Sequence, residues 1–123
     1  MSLSKAEEQL MEIIWTHEKA FMKDIIEGYP DPRPAKTTIA TLLKRVQNKG
    51  YVAYQLFGNS RQYYPLVEKK KYFSEHVKGI IGNFFDGSPI NFASFFARST
   101  NFSKAELEEL REIIDKEIER KDK

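Results

Sequence analysis

The sequence contains no cysteine and only two histidines, and these absences exclude several classes of protein. Without thiols, the chain can form neither disulfides nor thiolate metal sites. His17 and His76 fall in different predicted lobes, and no residues supply a nucleophile with a base or a three-ligand metal cluster. We therefore expect neither an enzyme nor a bound cofactor.

Long hydrophobic runs are also lacking. The longest apolar runs span only a few residues, too few to cross a membrane, and residues 4–8 are too polar for a signal peptide. We therefore expect a cytoplasmic protein. With 123 residues, of which 41% are hydrophobic, the chain has room for one domain of ordinary size or two small lobes.

The net charge of +2 is too small to indicate a polyanionic partner, but the charges are unevenly distributed. Residues 33–71 contain nine Lys or Arg and one acid, Glu68, which gives a local charge of +8. Residues 1–32 sum to −4 and residues 72–123 to −2. A basic block between acidic segments is typical of a surface that binds phosphate. The alternative interpretation is that these Lys and Arg residues simply keep the surface soluble.

The basic block begins with a predicted helix that ends before Gly50. One face repeats apolar residues at the i, i+3, i+4, i+7 spacing of a buried helical face, namely Ile39, Leu42, Leu43 and Val46. The opposite side carries Thr37, Thr41, Lys44 and Asn48, with Thr38 and Arg45 on a flank. The basic residues of this outer face are Lys36, Lys44, Arg45 and Lys49. This helix is predicted to be the recognition helix of a DNA-binding fold.

Two β-rich runs, residues 51–57 and 62–64, follow this helix. We predict a hairpin whose four-residue tip, Gly-Asn-Ser-Arg at 58–61, points the guanidinium of Arg61 outward. Together the helix and hairpin indicate a winged helix-turn-helix that binds double-stranded DNA. The N-terminal half of the helix is expected in the major groove, with Arg61 at the neighbouring backbone or minor groove. The alternative is a winged-helix module for protein–protein contacts, which usually lacks a basic outer face on its third helix.

Two shorter helices are predicted upstream. Ser4 and Glu7 have the spacing of a capping box, which opens a helix that runs to about His17. A second helix is predicted from about Phe21 to near Gly28. The three prolines within residues 30–34 then form the turn before the recognition helix, because proline cannot continue a helix.

Three helices are predicted in residues 68–123. The first ends at residues 86–87, the second opens with Ser88 as N-cap and Pro89 as its first residue, and the third opens with a capping box of Ser103 and Glu106. The predicted fold class is therefore mostly α with a small β-hairpin. We predict a winged helix-turn-helix DNA-binding domain over residues 1–67 and a helical dimerisation domain over residues 68–123.

The C-terminal helices are rich in phenylalanine, with five between residues 84 and 96. Three short helices cannot bury so much aromatic surface among themselves, and a two-fold copy of the same lobe is the simplest cover. We therefore expect a homodimer. Its predicted interface consists of Phe84, Phe92, Phe95, Phe96, Leu107, Leu110 and Ile114.

Three stretches of the sequence, which together cover nearly the whole chain, have a recognisable pattern. They are Leu3-Ser4-Lys5-Ala6-Glu7 with Leu10, Ile13, Ile14 and Trp15; Thr38-x-x-Thr41-Leu42-Leu43-x-Arg45-Val46-x-x-Lys49-Gly50-Tyr51; and Arg61-x-Tyr63-Tyr64-Pro65-Leu66-Val67. The pattern resembles the penicillinase repressor (BlaI/MecI/CopY) family. This resemblance implies a dimeric bacterial repressor with an N-terminal winged helix and a C-terminal helical dimerisation lobe. In the best-known members, a membrane-bound sensor protease triggers cleavage of the repressor and so derepresses resistance genes.

The sequence departs from the family in three ways. It lacks the C-terminal cysteines with which CopY-type members sense copper. Alignment on the acidic last helix puts Phe95-Phe96 at the cleavage position, where the β-lactam branch has Asn-Phe, and the Asn-Phe pairs at 91–92 and 101–102 lie elsewhere. Whether a membrane sensor protease is a partner therefore stays open. Ala40 occupies a position that is often basic in relatives, so the operator sequence cannot be carried over.

Overall fold

The computed structural model describes residues 3–123, which form six helices and three strands. In chain order the elements are α1 Lys5–His17, β1 Ala20–Phe21, α2 Met22–Gly28, α3 Lys36–Asn48, β2 Val52–Phe57, β3 Ser60–Pro65, α4 Lys69–Phe84, α5 Pro89–Ser99 and α6 Lys104–Lys121. The chain forms two compact units that meet in sequence between residues 76 and 77, so α4 contributes residues to both. Among residues 3–123, none of the helices combines the length and apolar character needed to cross a lipid bilayer.

Side-chain caps fix the starts of three helices where the sequence predicts them. In α1, the Ser4 backbone N–H donates to Glu7 Oε1 at 2.7 Å and the Glu7 N–H donates to Ser4 Oγ at 3.2 Å. Ser103 and Glu106 form the same reciprocal box at α6, and the Ser88 hydroxyl caps α5. These bonds satisfy backbone donors that the first turn of a helix leaves unpaired.

The sheet has three antiparallel strands in the order β1-β3-β2. The sequence predicts only β2 and β3, and it places Phe21 in a helix. Instead Ala20 pairs with Tyr63 and Phe21 with Gln62, and α2 begins at the next residue. A two-residue strand is too short to show the alternation of apolar and polar residues that identifies a strand in sequence.

The predicted four-residue hairpin tip is wrong. Phe57 pairs with Ser60 and Leu56 with Arg61, which leaves a two-residue turn at positions 58–59. Gly58 has a φ of +62°, the left-handed backbone that two-residue hairpin turns require. The turn therefore closes two residues earlier than expected, and Arg61 lies within β3 rather than at the tip.

The core of the unit formed by residues up to 76 lies between the helices and the sheet. Its fully buried side chains include Leu10, Met11, Ile14, Ile25, Ile39, Leu43, Val46 and Val52. The first turn of α4 joins this core through Tyr72, whose hydroxyl donates to Glu8 Oε2 at 2.7 Å and accepts from the Leu3 N–H at 3.3 Å. Nearby, the indole N–H of Trp15 donates to the Val67 carbonyl at 2.8 Å. The start of α4 is thus packed against α1.

The unit formed by residues 77–123 has no comparable core. No residue of α5 or α6 is buried. Its phenylalanines instead touch one another, with ring centroids 5.4 Å apart for Phe85 and Phe92 and 5.5 Å apart for Phe96 and Phe102. This unit leaves apolar surface in contact with water.

Candidate nucleic-acid interface

The structure confirms the predicted two faces of α3. The apolar face is buried, and the other side exposes Lys36, Thr37, Thr38, Thr41, Lys44 and Arg45. Thr41 is exposed, and its hydroxyl donates to the Thr37 carbonyl at 3.0 Å, so the hydroxyl oxygen can still accept a hydrogen bond but has no proton left to donate. Ala40 is exposed in the middle of this surface. The exposed side of α3 therefore offers hydroxyl, methyl and cationic groups together.

Arg61 is exposed, but it does not point outward from a hairpin tip as predicted. Side chains alternate along a strand, so Arg61 shares the face of β3 that buries Tyr63. Its guanidinium lies over the ring of Tyr54, 4.4 Å from the centroid. A hydrogen bond with Tyr63 and the two tyrosine rings raise the pKa of Arg61, which stays cationic. The guanidinium is therefore directed to the side of the wing that borders α3.

Two open grooves separate α3 from the wing. The first, which we call the α2 groove, has a volume of about 630 Å³ and is lined by Phe21, Met22, Lys23, Asp24, Lys36, Asn59, Ser60, Arg61 and Tyr63. The second, which we call the α3 groove, has a volume of about 400 Å³ and is lined by Ala40, Leu43, Lys44, Gln47, Asn48, Tyr54, Arg61 and Tyr63. Arg61 borders both, so the structure brings it together with Lys36 and Lys44. Thr37, Thr38, Thr41 and Arg45 are exposed on α3 but line neither groove.

Two of the nine cations in the basic block are paired with carboxylates of α1. Lys49 Nζ lies 2.7 Å from Glu7 Oε1, and Lys69 Nζ lies 2.5 Å from Glu12 Oε1. Glu7 is only 2% exposed. Burial raises its pKa, but hydrogen bonds from Lys49 and Ser4 outweigh burial and hold that pKa below its ordinary value. The prediction that Lys49 belongs to the outer basic face is therefore wrong, because it ties the end of α3 to α1.

The sequence did not single out Lys23 or Tyr54 as part of the site. Lys23 lies in an N-terminal segment, residues 1–32, whose net charge is −4, so the distribution of charge along the sequence does not indicate that it belongs to a basic surface. Tyr54 looks like an ordinary strand residue until the pairing of β2 with β3 places it beneath Arg61. Among residues 3–123, no group of three or more His, Cys, Asp or Glu is arranged to hold a metal ion.

The residues predicted to form the dimer interface lie on α4, α5 and α6. Phe84 is 78% exposed, Phe95, Phe96, Leu107 and Ile114 are 42–55% exposed, and Phe92 and Leu110 are half-buried. The predicted cleavage position, Phe95-Phe96, lies inside α5. Both residues are therefore accessible at their side chains, while their backbone is held in a helix.

Comparison with known proteins gives consistent matches along the whole chain. The family model described as "Penicillinase repressor" matches residues 3–116. The methicillin resistance regulatory protein MecI of Mammaliicoccus sciuri is 32% identical over 115 residues, covering 93% of this chain and 94% of that protein. MecI of Staphylococcus aureus (strain N315) is 31% identical with the same coverage. The penicillinase repressor of Bacillus licheniformis is 24% identical over 97% of this chain and 94% of that protein.

A solved structure also matches part of the fold. The solution structure of the DNA-binding domain of the repressor BlaI superposes with a TM-score of 0.52 at 26% sequence identity. The match covers 58% of this chain and 88% of that domain. The predicted winged-helix fold is confirmed by this similarity and by the observed helices and sheet.

Proposed function

The chain belongs to the penicillinase repressor family, and we propose that it represses transcription as a homodimer bound to a dyad-symmetric operator. The chain is accordingly a transcriptional repressor and not an enzyme. The observation that carries the proposal is the exposed side of α3, where Lys36 and Lys44 each share a groove with Arg61 and the threonines lie exposed on the same helix. The similarity of the fold to the BlaI DNA-binding domain supports the proposal.

The proposed contacts follow from the chemistry of this surface. The N-terminal half of α3 enters the major groove, where Thr37 and Thr38 donate hydroxyls to phosphates and the threonine methyl groups contact thymine. The hydroxyl proton of Thr41 is engaged by the Thr37 carbonyl, so Thr41 contributes its methyl group. Lys36, Lys44 and Arg45 neutralise phosphates, which displaces counterions and makes binding depend on salt. Arg61 contacts the neighbouring backbone or minor groove from the wing. We assign this role to the winged helix-turn-helix domain, residues 1–67.

Dimerisation is assigned to residues 68–123. The proposed interface is apolar and largely exposed in the single chain, with Phe84 78% and Phe95 55% exposed. Covering a large apolar side chain contributes about 1.5–3 kcal/mol, so several such side chains favour association strongly. A second copy of the same unit supplies a matching apolar surface through a two-fold axis. Two winged helices in one particle then bind two half-sites together.

Regulation by a membrane sensor protease is part of the proposal. Phe95 and Phe96 lie at the family's cleavage position, and a cut there would separate α6 from most of the remaining interface. Because the bond lies inside α5, the helix must open before a protease can bind its backbone in extended form. The chain should be co-expressed with a sensor protease encoded beside its gene and then examined by mass spectrometry. A cut between residues 95 and 96 supports this regulation, whereas an intact chain under inducing conditions refutes it.

DNA binding is tested by the salt dependence of affinity for a dyad-symmetric duplex from the chain's own promoter region. Lys44→Gln and Arg61→Gln should each flatten the slope of log K against log salt by roughly one unit per lost phosphate contact. Lys5→Gln is the matched control, because Lys5 is an exposed α1 residue that lines neither groove. Absence of binding to every promoter fragment at low salt would favour a protein–protein interaction module instead.

A further inference from the structure

The α2 groove brings together cations from three separate elements. Lys23 lies in the first turn of α2, Lys36 opens α3, and Arg61 lies in β3. All three are exposed, and within residues 3–123 none of them forms an ion pair with a carboxylate. Like charges around one groove repel each other, and an anion placed among them relieves that repulsion. The groove is therefore electrostatically suited to an anionic ligand.

The other residues of the groove indicate which kind of anion it could bind. Asp24 is the one acid in the lining, and its Oδ2 accepts the Phe21 backbone N–H at 2.9 Å, so it is engaged at the start of α2. Three cations and one acid leave a local charge of +2. Asn59 and Ser60 add an amide and a hydroxyl from the wing turn, and Met22 adds apolar surface. Cationic, hydrogen-bonding and apolar groups in one groove fit a phosphodiester with its sugar.

We propose that the α2 groove binds a backbone phosphate of operator DNA and that Lys23 is a DNA-contacting residue. This inference rests on the proposed function, since it requires α3 to lie in the major groove. The groove lies between the first residue of α3 and the wing turn. A DNA strand contacted by both the start of α3 and the wing turn would run along this opening, because both line it. In helix-turn-helix proteins the first helix of the motif, here α2, is the one that crosses the backbone.

The role of Lys23 is to add affinity and fix register, not to read sequence. Phosphates are the same at every base pair, so a phosphate contact carries no sequence information directly. Removing Lys23 should therefore weaken binding to the operator and to unrelated duplex alike. It should also reduce the number of counterions released on binding.

The experiment compares full-length wild-type chain, Lys23→Gln and Lys5→Gln on the same dyad-symmetric duplex over a range of salt concentrations. For Lys23→Gln, the slope of log K against log salt should flatten by roughly 0.9 for each lost contact, thus by about 1.8 for two half-sites. The ratio of operator to unrelated-duplex affinity should stay within twofold of wild type. Lys5→Gln removes the same charge and should leave the slope unchanged. Circular dichroism melts of both variants check that the fold is kept.

Three outcomes would overturn the inference. One is a Lys23→Gln slope equal to that of wild type, and another is an equal change in Lys5→Gln, which would indicate a general charge effect. The third is a lost operator preference, which would make Lys23 a base-reading residue. These outcomes are distinguishable from a failure of the proposed function, because the wild-type chain would then bind no promoter duplex at all. Phosphate-ethylation interference gives an independent readout: ethylation of one phosphate per half-site should weaken binding by wild type, and it should weaken binding by Lys23→Gln less, because only Lys36 and Arg61 then remain at the groove.

Discussion

Replacing Lys49 with methionine should destabilise the unit formed by residues up to 76, and the loss should be larger than that for an exposed lysine of α3. Lys49 Nζ lies 2.7 Å from Glu7 Oε1, and the Glu7 side chain is only 3% exposed. Removing one partner of a buried ion pair costs about 3–5 kcal/mol, because it leaves a buried charge without compensation. Glu7 keeps its capping bonds to Ser4, and the Lys49 side chain is 26% exposed. We therefore expect a smaller loss for Lys49→Met, about 2–3 kcal/mol in the free energy of unfolding.

The loss should also depend on pH. The pKa of Glu7 is held below its ordinary value in the folded chain, so its ionised form contributes stability above about pH 4.5. That contribution disappears as the pH falls through the lowered pKa of the folded chain. The difference between wild type and Lys49→Met should therefore be full at pH 7 and shrink as the pH falls below the ordinary pKa of glutamate.

Urea unfolding followed by fluorescence measures this effect. The chain has one tryptophan, Trp15, which packs against the core and so reports on this unit. Lys44→Met is the matched control, because Lys44 is an exposed lysine on the same helix and its loss should cost less than about 0.5 kcal/mol. Equal stabilities for the two variants at pH 7, or a difference that does not shrink at low pH, would show that the ion pair between Lys49 and Glu7 does not stabilise the fold.

Three further predictions concern packing and assembly. Tyr72→Phe should lower the free energy of unfolding by about 1–2 kcal/mol by removing the hydrogen bond to Glu8. Burial and the hydrogen bond with Glu8 raise the pKa of Tyr72 to about 12 in the folded chain. The stability difference between wild type and Tyr72→Phe should therefore shrink as the pH rises from 10 towards 12. Urea unfolding of both proteins at pH 9 and at pH 11 measures this difference. Gly28→Ala would place a Cβ 2.6 Å from Ile13 Cγ2, so thermal unfolding should show a loss of about 1–3 kcal/mol in the free energy of unfolding. The same substitution should cost less when it is made in the Ile13→Ala variant, where the contact is absent. An equal cost in both backgrounds would place the strain elsewhere. Truncation after Gly87 should give a folded monomer with operator affinity reduced by orders of magnitude, and a fragment that sediments as a dimer would contradict the assigned interface.

Local features of this fold are predictable from sequence because the interactions behind them are local. The capping boxes at Ser4 and Ser103 each involve residues three positions apart, and both form as predicted. The buried and exposed sides of α3 follow from a periodicity visible within the helix itself. The exposed threonines and lysines of the candidate site could therefore be named from the sequence.

Features that depend on distant pairing could not be predicted. Lys49 and Glu7 are 42 positions apart, and only the fold reveals that they neutralise each other. Strand β1 exists because Ala20 and Phe21 pair with β3, not because of any pattern of their own. Lys23 reaches the candidate site through the packing of α2 beside the wing, although it lies in a segment, residues 1–32, whose net charge is −4.

Repression by a dimer is tested most directly by the number of chains bound to one dyad-symmetric duplex from the chain's own promoter region. Sedimentation equilibrium of the complex at low salt gives this number, and a duplex of equal length with one half-site scrambled is the control. A repressor that binds as a dimer should give two chains per duplex and an affinity lower by orders of magnitude on the control duplex. A complex of one chain per duplex, with equal affinity for the control, would contradict repression by a dimer that binds both half-sites.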